Sequence, residues 1–280
     1  MIIDFHTHTF PDAMAEKTIS ALKSNSKTIP SSDGTNGGLS EKARAAGVTL
    51  SVVLPVITNP LSVSKINAFA AKVNENTEKT GVLSFGGMHP DCEDVKGAIR
   101  EIKDLGLKGI KIHPAYQKTQ INDIKYKRIL ALAEENGLIT VTHSGLDIGV
   151  AGDWCSPIKT AELIDEIRPT RFVLAHMGGW EQWRDVNDFL CGKNVYFDTS
   201  FCCVTFSYDE TAEVKDRKPV LDEKDFTEII ALHGADKILF GTDSPWADQK
   251  TQVDFINGLA LTEEQKSKIF YLNAKKLLGI

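Results

Sequence analysis

Six side chains able to hold a metal or move a proton recur in one kind of place along this 280-residue sequence, the end of a short apolar run. His6 ends the run from Ile2 and His8 follows it; His113 ends Lys108 to His113, His143 ends Leu138 to His143, His176 ends Arg171 to His176, and Asp243 ends Lys237 to Asp243. Five of the protein's seven histidines belong to this set, so independent scattering is a poor account of it. Two imidazoles two residues apart on an extended chain share a side and can face one ion. With a distant third histidine and a carboxylate they supply the N and O ligands that Zn²⁺ and related divalent metals take. A coordination position left to water makes such a site catalytic, because the bound water becomes a nucleophile near neutral pH.

Those residues need a fold that brings them together. Eight short β-branched or apolar runs are legible: Ile2 to His6, Val48 to Pro55, Val82 to Met88, Lys108 to His113, Leu138 to His143, Arg171 to His176, Asn194 to Thr199 and Lys237 to Asp243. Polar, helix-periodic stretches separate them. Ser62 to Lys79 carries Val63, Ile66, Phe69, Ala70 and Val73 on a 3.6-residue period, and Lys125 to Asn136 carries Ile129, Leu130, Leu132 and Ala133. Gly81, Gly106 and Gly137 stand where a left-handed residue ends a helix before the next strand. Eight β-α units predict an α/β chain folded as a single (β/α)₈ TIM barrel over residues 1–280. An open doubly wound sheet usually has fewer strands and a glycine-rich turn after the first, where this chain has His6-Thr7-His8. In a closed parallel barrel all C-terminal strand ends meet on one face. Alternation then predicts Leu239 and Gly241 inward with Asp243, Phe172 and Leu174 with His176, and Ile139 and Val141 with His143. Ser24 to Gly38 and the charged Thr205 to Lys224 read as loops, the second as a lid.

Composition narrows the partners. With 32 basic against 38 acidic residues the net charge is -6, which gives no general attraction to nucleic acid or an anionic membrane. No stretch approaches the roughly 18 apolar residues of a spanning helix, and Met1-Ile2-Ile3-Asp4 lacks a basic, apolar leader. The expectation is a cytoplasmic protein acting on a small molecule, with a homodimer left open. Five cysteines, an odd number without zinc-finger spacing, argue for buried thiols rather than a disulfide framework.

The chain resembles the amidohydrolase superfamily, most closely its amidohydrolase 2 branch, which includes enzymes of the aminocarboxymuconate semialdehyde decarboxylase type. The resemblance spans nearly the whole chain. It rests on Asp4-Phe5-His6-Thr7-His8, Gly109-Ile110-Lys111-Ile112-His113-Pro114, Thr142-His143, Ala175-His176-Met177-Gly178-Gly179, Phe240-Gly241-Thr242-Asp243-Ser244-Pro245 and the closing Asn273 to Leu278. It implies that His6, His8, His143 and Asp243 bind one metal, usually zinc, with His176 beside the metal water as acid, base or polarising group. Asp243 then also handles the proton. An orienting role for His176, and a second metal at Lys111, His143 and His176, stay open alternatives.

Lys111 and His113 share parity on the fourth run, where a lysine could pair with a substrate carboxylate or with Asp4 or another inward acid. His89, Tyr116, Trp154, Thr199 and Trp246 are further candidate substrate contacts, while His233 reads as a surface or capping residue. Metal-assisted hydrolysis of an amide, ester or lactone is the first expectation. Non-oxidative decarboxylation of an aromatic or muconate-like acid is the alternative, weakened because Arg44, Arg100 and Arg217 do not stand at strand ends. A binding protein or metal-free lactonase on the same barrel is the third.

Overall fold

A computed structural model of the chain describes residues 1–203, 207–213 and 220–280. All eight expected strands form, in chain order: Ile3–Thr7, Leu50–Val53, Val82–Ser84 resuming as Gly86–Gly87, Gly109–Ile112, Ile139–Thr142, Phe172–Leu174, Tyr196–Asp198 and Ile238–Leu239. Each pairs in parallel with its neighbour, as in Ile3 with Leu50, Gly109 with Ile139 and Phe197 with Ile238. The ring closes through Phe5 N–H to Phe240 O (2.8 Å), Asp243 N–H to His6 O (2.8 Å) and His8 N–H to Ser244 O (2.6 Å), with a parallel bridge from Thr7 to Ser244. The fold is a TIM barrel.

Ile3, Phe5, Val52, Leu54, Phe85, Ile139, Val141, Val173, Tyr196 and Leu239 form one buried cluster drawn from seven of the eight strands. Such a set is the barrel interior. The helix Asn273–Leu278 adds Ala274, Leu277 and Leu278 to it, and Asn273 ties that helix to the eighth strand through Ile238 O at 2.7 Å. The fourth strand supplies no apolar side chain to this interior. Its Gly109 has no room for one, since a Cβ there would stand 2.5 Å from the Phe85 ring and from Ile139 O. Ile110, Ile112, Phe172, Leu174, Phe197 and Phe240 pack instead with the surrounding helices.

Helix ends follow the glycines, and Gly81, Gly106 and Gly137 all have φ near +70° (69°, 72° and 70°). The predicted helix over Ser62 to Lys79 is two, Val63–Asn74 and Thr77–Thr80. The helix expected over Lys125 to Asn136 spans Ile124–Glu135. Residues 204–206 and 214–219, which include part of the expected lid and Arg217, lie outside the described residues. The described part meets the barrel at Tyr208, which bridges to Thr28.

Candidate active site

The C-terminal strand ends gather His6, His8, Lys111, His113, His143, His176, Asp243 and Trp246 around one cavity of about 560 Å³. Alternation does not bring all of them there. Ile139, Val141 and Leu239 lie inside the barrel as predicted, but Phe172 and Leu174 face the helices and Val173 takes the inward position. His176 still enters the cavity because the strand stops at Leu174 and the chain turns through left-handed residues, His176 at φ 60° and Met177 at φ 52°. Asp243 is also left-handed, at φ 67°. Such a backbone is uncommon outside glycine and recurs where a site over-determines it.

The imidazoles are oriented from behind. His6 Nδ1–H donates to Asp198 Oδ2 at 2.8 Å, His8 Nδ1–H to Leu54 O at 2.8 Å, and His143 Nε2–H to Leu146 O at 2.8 Å. Each of these bonds fixes a tautomer and leaves the opposite nitrogen as a bare lone pair facing the cavity. His6 Nε2 and His8 Nε2 then stand 3.2 Å apart, with Asp243 Oδ1 at 3.4 Å from the first and 2.9 Å from the second. Metal bonds of about 2.0 to 2.1 Å put tetrahedral ligands about 3.3 Å from one another. These three residues therefore fit a divalent ion.

The expected fourth ligand, His143, is not in this mutually close set. Its Nδ1 faces His176 Nε2 at 3.1 Å, and its ligand atoms group within 4.8 Å with those of His113 and Asp147. The bond to Leu146 O is what turns Nδ1 toward His176.

Burial and nearby positive charge keep His6 and His176 neutral. Desolvation, then the field of Lys111, holds His6 well below the ordinary histidine range, and desolvation with His143 pushes His176 down to about 3. Lys111 is pushed down to about 8 by burial, against the pull of Asp198 and Asp243. Its Nζ lies 3.2 Å from His6 Nε2, and among the described residues no carboxylate is within 4.0 Å of it.

Asp4 is not the partner of Lys111. Its carboxylate takes Thr242 Oγ1–H at 2.6 Å, Gln249 Nε2–H at 2.7 Å and Thr242 N–H at 3.0 Å, which locks the first strand to the segment after the eighth.

The remaining candidates divide. His113 is stacked between Tyr116 (4.1 Å) and His143 (4.3 Å), with its Nε2 3.7 Å from Asp147 Oδ2. Tyr116 and Trp246 line the cavity. His89 lies outside the cavity wall: the third strand ends at Gly87, and the buried His89 ring accepts Asp91 N–H at Nδ1 (3.1 Å) to shape the next turn. Trp154 donates to Ala151 O, and Thr199 hydrogen bonds to Gly241 at both its N–H and O, so both serve the framework. His233 is buried rather than superficial, stacked on Phe197 at 3.7 Å and bridging Gly192 N–H to Val195 O.

Sequence reasoning missed Asp198 and Ser200. Asp198 Oδ1 accepts His176 N–H at 3.1 Å and Ser200 Oγ–H at 2.5 Å, while Ser200 Oγ stands 3.0 Å from His6 Nδ1 and 3.1 Å from His176 Nδ1. One carboxylate thus anchors both histidines.

The amidohydrolase family model matches residues 3–280. The chain belongs to the amidohydrolase family. Enzymes of this family use a divalent metal, and the His6, His8 and Asp243 set accords with that. No curated protein matches the chain. Among solved structures it is similar to an uncharacterized TIM-barrel protein from Bordetella bronchiseptica, at 18% identity and TM-score 0.78 over 99% of this chain and 98% of that one. It is similar to 5-carboxyvanillate decarboxylase from Sphingomonas paucimobilis, at 15% identity and TM-score 0.67 over 100% and 99% of the two chains. A dihydroxybenzoic acid decarboxylase from Polaromonas, with bound manganese and the inhibitor 2-nitroresorcinol, matches at 15% identity and TM-score 0.67 over 99% and 96%. Among the described residues no helix is long and apolar enough to cross a membrane.

Proposed function

We propose that this amidohydrolase is a metal-dependent, non-oxidative decarboxylase of a small aromatic or similarly unsaturated carboxylic acid. The observation that carries the reading is Lys111, a buried ammonium beside His6 Nε2 with no protein carboxylate in ion-pair reach among the described residues. A buried cation without a partner is costly and is relieved by an incoming anion. The likeness to decarboxylases of hydroxylated benzoic acids supports the same choice.

His6, His8 and Asp243 would hold one divalent ion. Zinc is the family's usual metal, and manganese occupies the Polaromonas protein. When bound, the ion supplies Lewis-acid polarisation of the substrate's oxygen atoms. The chain's own groups do the rest. Lys111 pairs with the substrate carboxylate, and Tyr116, its ring backed by His113, offers its other face to the substrate ring. Asp243 and His176 carry the proton to the carbon that bears the carboxylate. That carbon forms a C–H bond, the C–C bond breaks with its electron pair staying on the carbon, and CO₂ leaves neutral. Solvent then restores the proton.

Hydrolysis of an amide, ester or lactone, the first expectation from the sequence, is the second reading. It is favoured by a cavity wall that contains no arginine among the described residues. Release of CO₂ from candidate acids by metal-loaded protein tests the first reading against the second.

A further inference from the structure

The cavity extends beyond the metal-facing nitrogens, between two helices whose apolar residues face it. From Asp12–Ser26 these are Met14 and Leu22, with Thr18 between them on the same helix face; from Val63–Asn74 they are Ile66, Phe69 and Val73, spaced likewise. These helices bury other residues in the core, Ala15 and Ile19 from the first and Val63 and Asn67 from the second. Met14 remains 59% and Phe69 39% exposed. Large apolar side chains left open to one continuous space cost free energy unless something apolar occupies it. The cavity's 560 Å³ falls among sites that enclose drug-sized ligands, roughly 300 to 1,000 Å³, and is more than one carboxylated ring fills.

We infer that the substrate is amphipathic, with a carboxylate head at Lys111 and an apolar extension, aliphatic or aryl, laid between these two helices. The head rests on the decarboxylase reading; the extension rests on the helix faces alone. Continuity of the space sets the order of the two parts. The polar end reaches the strand ends and the apolar end leaves past Phe69.

The test is calorimetric titration of metal-loaded protein with benzoate and with 4-alkylbenzoates from methyl to hexyl. Each buried methylene is expected to tighten binding about fourfold, and the gain flattens in Phe69→Asp and Leu22→Asp, checked for folding by circular dichroism. Chain-length dependence in the wild type that persists unchanged in both variants overturns the subsite, as does affinity independent of chain length. Light scattering is run alongside: a dimer that falls apart in Phe69→Asp, without chain-length dependence in the wild type, gives the faces to a second copy and overturns the subsite too. Lys111→Met separates the two claims. If the chain-length gain survives but benzoate affinity does not depend on Lys111, the extension stands and the carboxylate head falls.

Discussion

Asp198 Oδ2 lies 2.8 Å from His6 Nδ1 across 192 residues of sequence, and the other oxygen of the same carboxylate holds the backbone N–H of His176 at 3.1 Å. A residue outside the cavity wall thereby sets the direction of one candidate metal-ligating nitrogen and the place of a proposed proton carrier. Asp198→Asn keeps the shape and removes the charge. Metal affinity, read by competition with a chromogenic chelator, is expected to fall about 10- to 100-fold, as for other partners that orient metal-binding histidines. Unchanged affinity would mean that His6 is oriented without it.

In the proposed reaction Asp243 both faces the ion and handles the proton. Asp243→Asn retains a ligand oxygen but no exchangeable carboxyl proton, so turnover is expected to drop by about 10²- to 10⁴-fold while elemental analysis still finds metal. Full activity with metal bound would remove Asp243 from the chemistry.

Lys111→Met deletes the buried cation. Hydrogen bonds to charged groups contribute about 1.5 to 3 kcal/mol, so KM for a carboxylate substrate is expected to rise about 10- to 100-fold with metal content unchanged. An unaltered KM would leave the cation without a role in binding.

The His233 ring is neutral in the fold because burial pushes its pKa down to about 4, from 6.5 when unfolded. Between these values the unfolded chain binds a proton that the folded chain refuses, so this contribution is present above pH 6.5 and is lost as pH falls through 4. The advantage of wild type over His233→Gln, from denaturant titrations, is expected to shrink by about 3 kcal/mol between pH 7 and pH 4. Parallel pH profiles would show that the stacked ring titrates normally.

The barrel was legible because fully buried parallel strands read as apolar runs and because strand-end histidines have little other reason to recur. Alternation failed at His176, where the left-handed residues after Leu174 break the two-residue period. Asp198 stood at a strand end as plainly as Asp243 and was open to the same argument. Asp147 was not: it reaches His113 and His143 from a loop whose path no periodicity encodes. Phe69 fell on the apolar face of a predicted helix, yet it faces the cavity. A 3.6-residue pattern marks what avoids water, and a core and a cavity wall satisfy it equally.

The most direct measurement is carbon balance on the metal-loaded protein, incubated with hydroxybenzoic acids labelled with ¹³C at the carboxyl group. Decarboxylation requires labelled CO₂ in equal amount to the ring product bearing a new C–H bond, abolished by chelation and restored by Zn²⁺ or Mn²⁺. Cleavage of amide, ester or lactone substrates with ¹⁸O uptake from water, and no labelled CO₂ from any acid with metal bound, would contradict it.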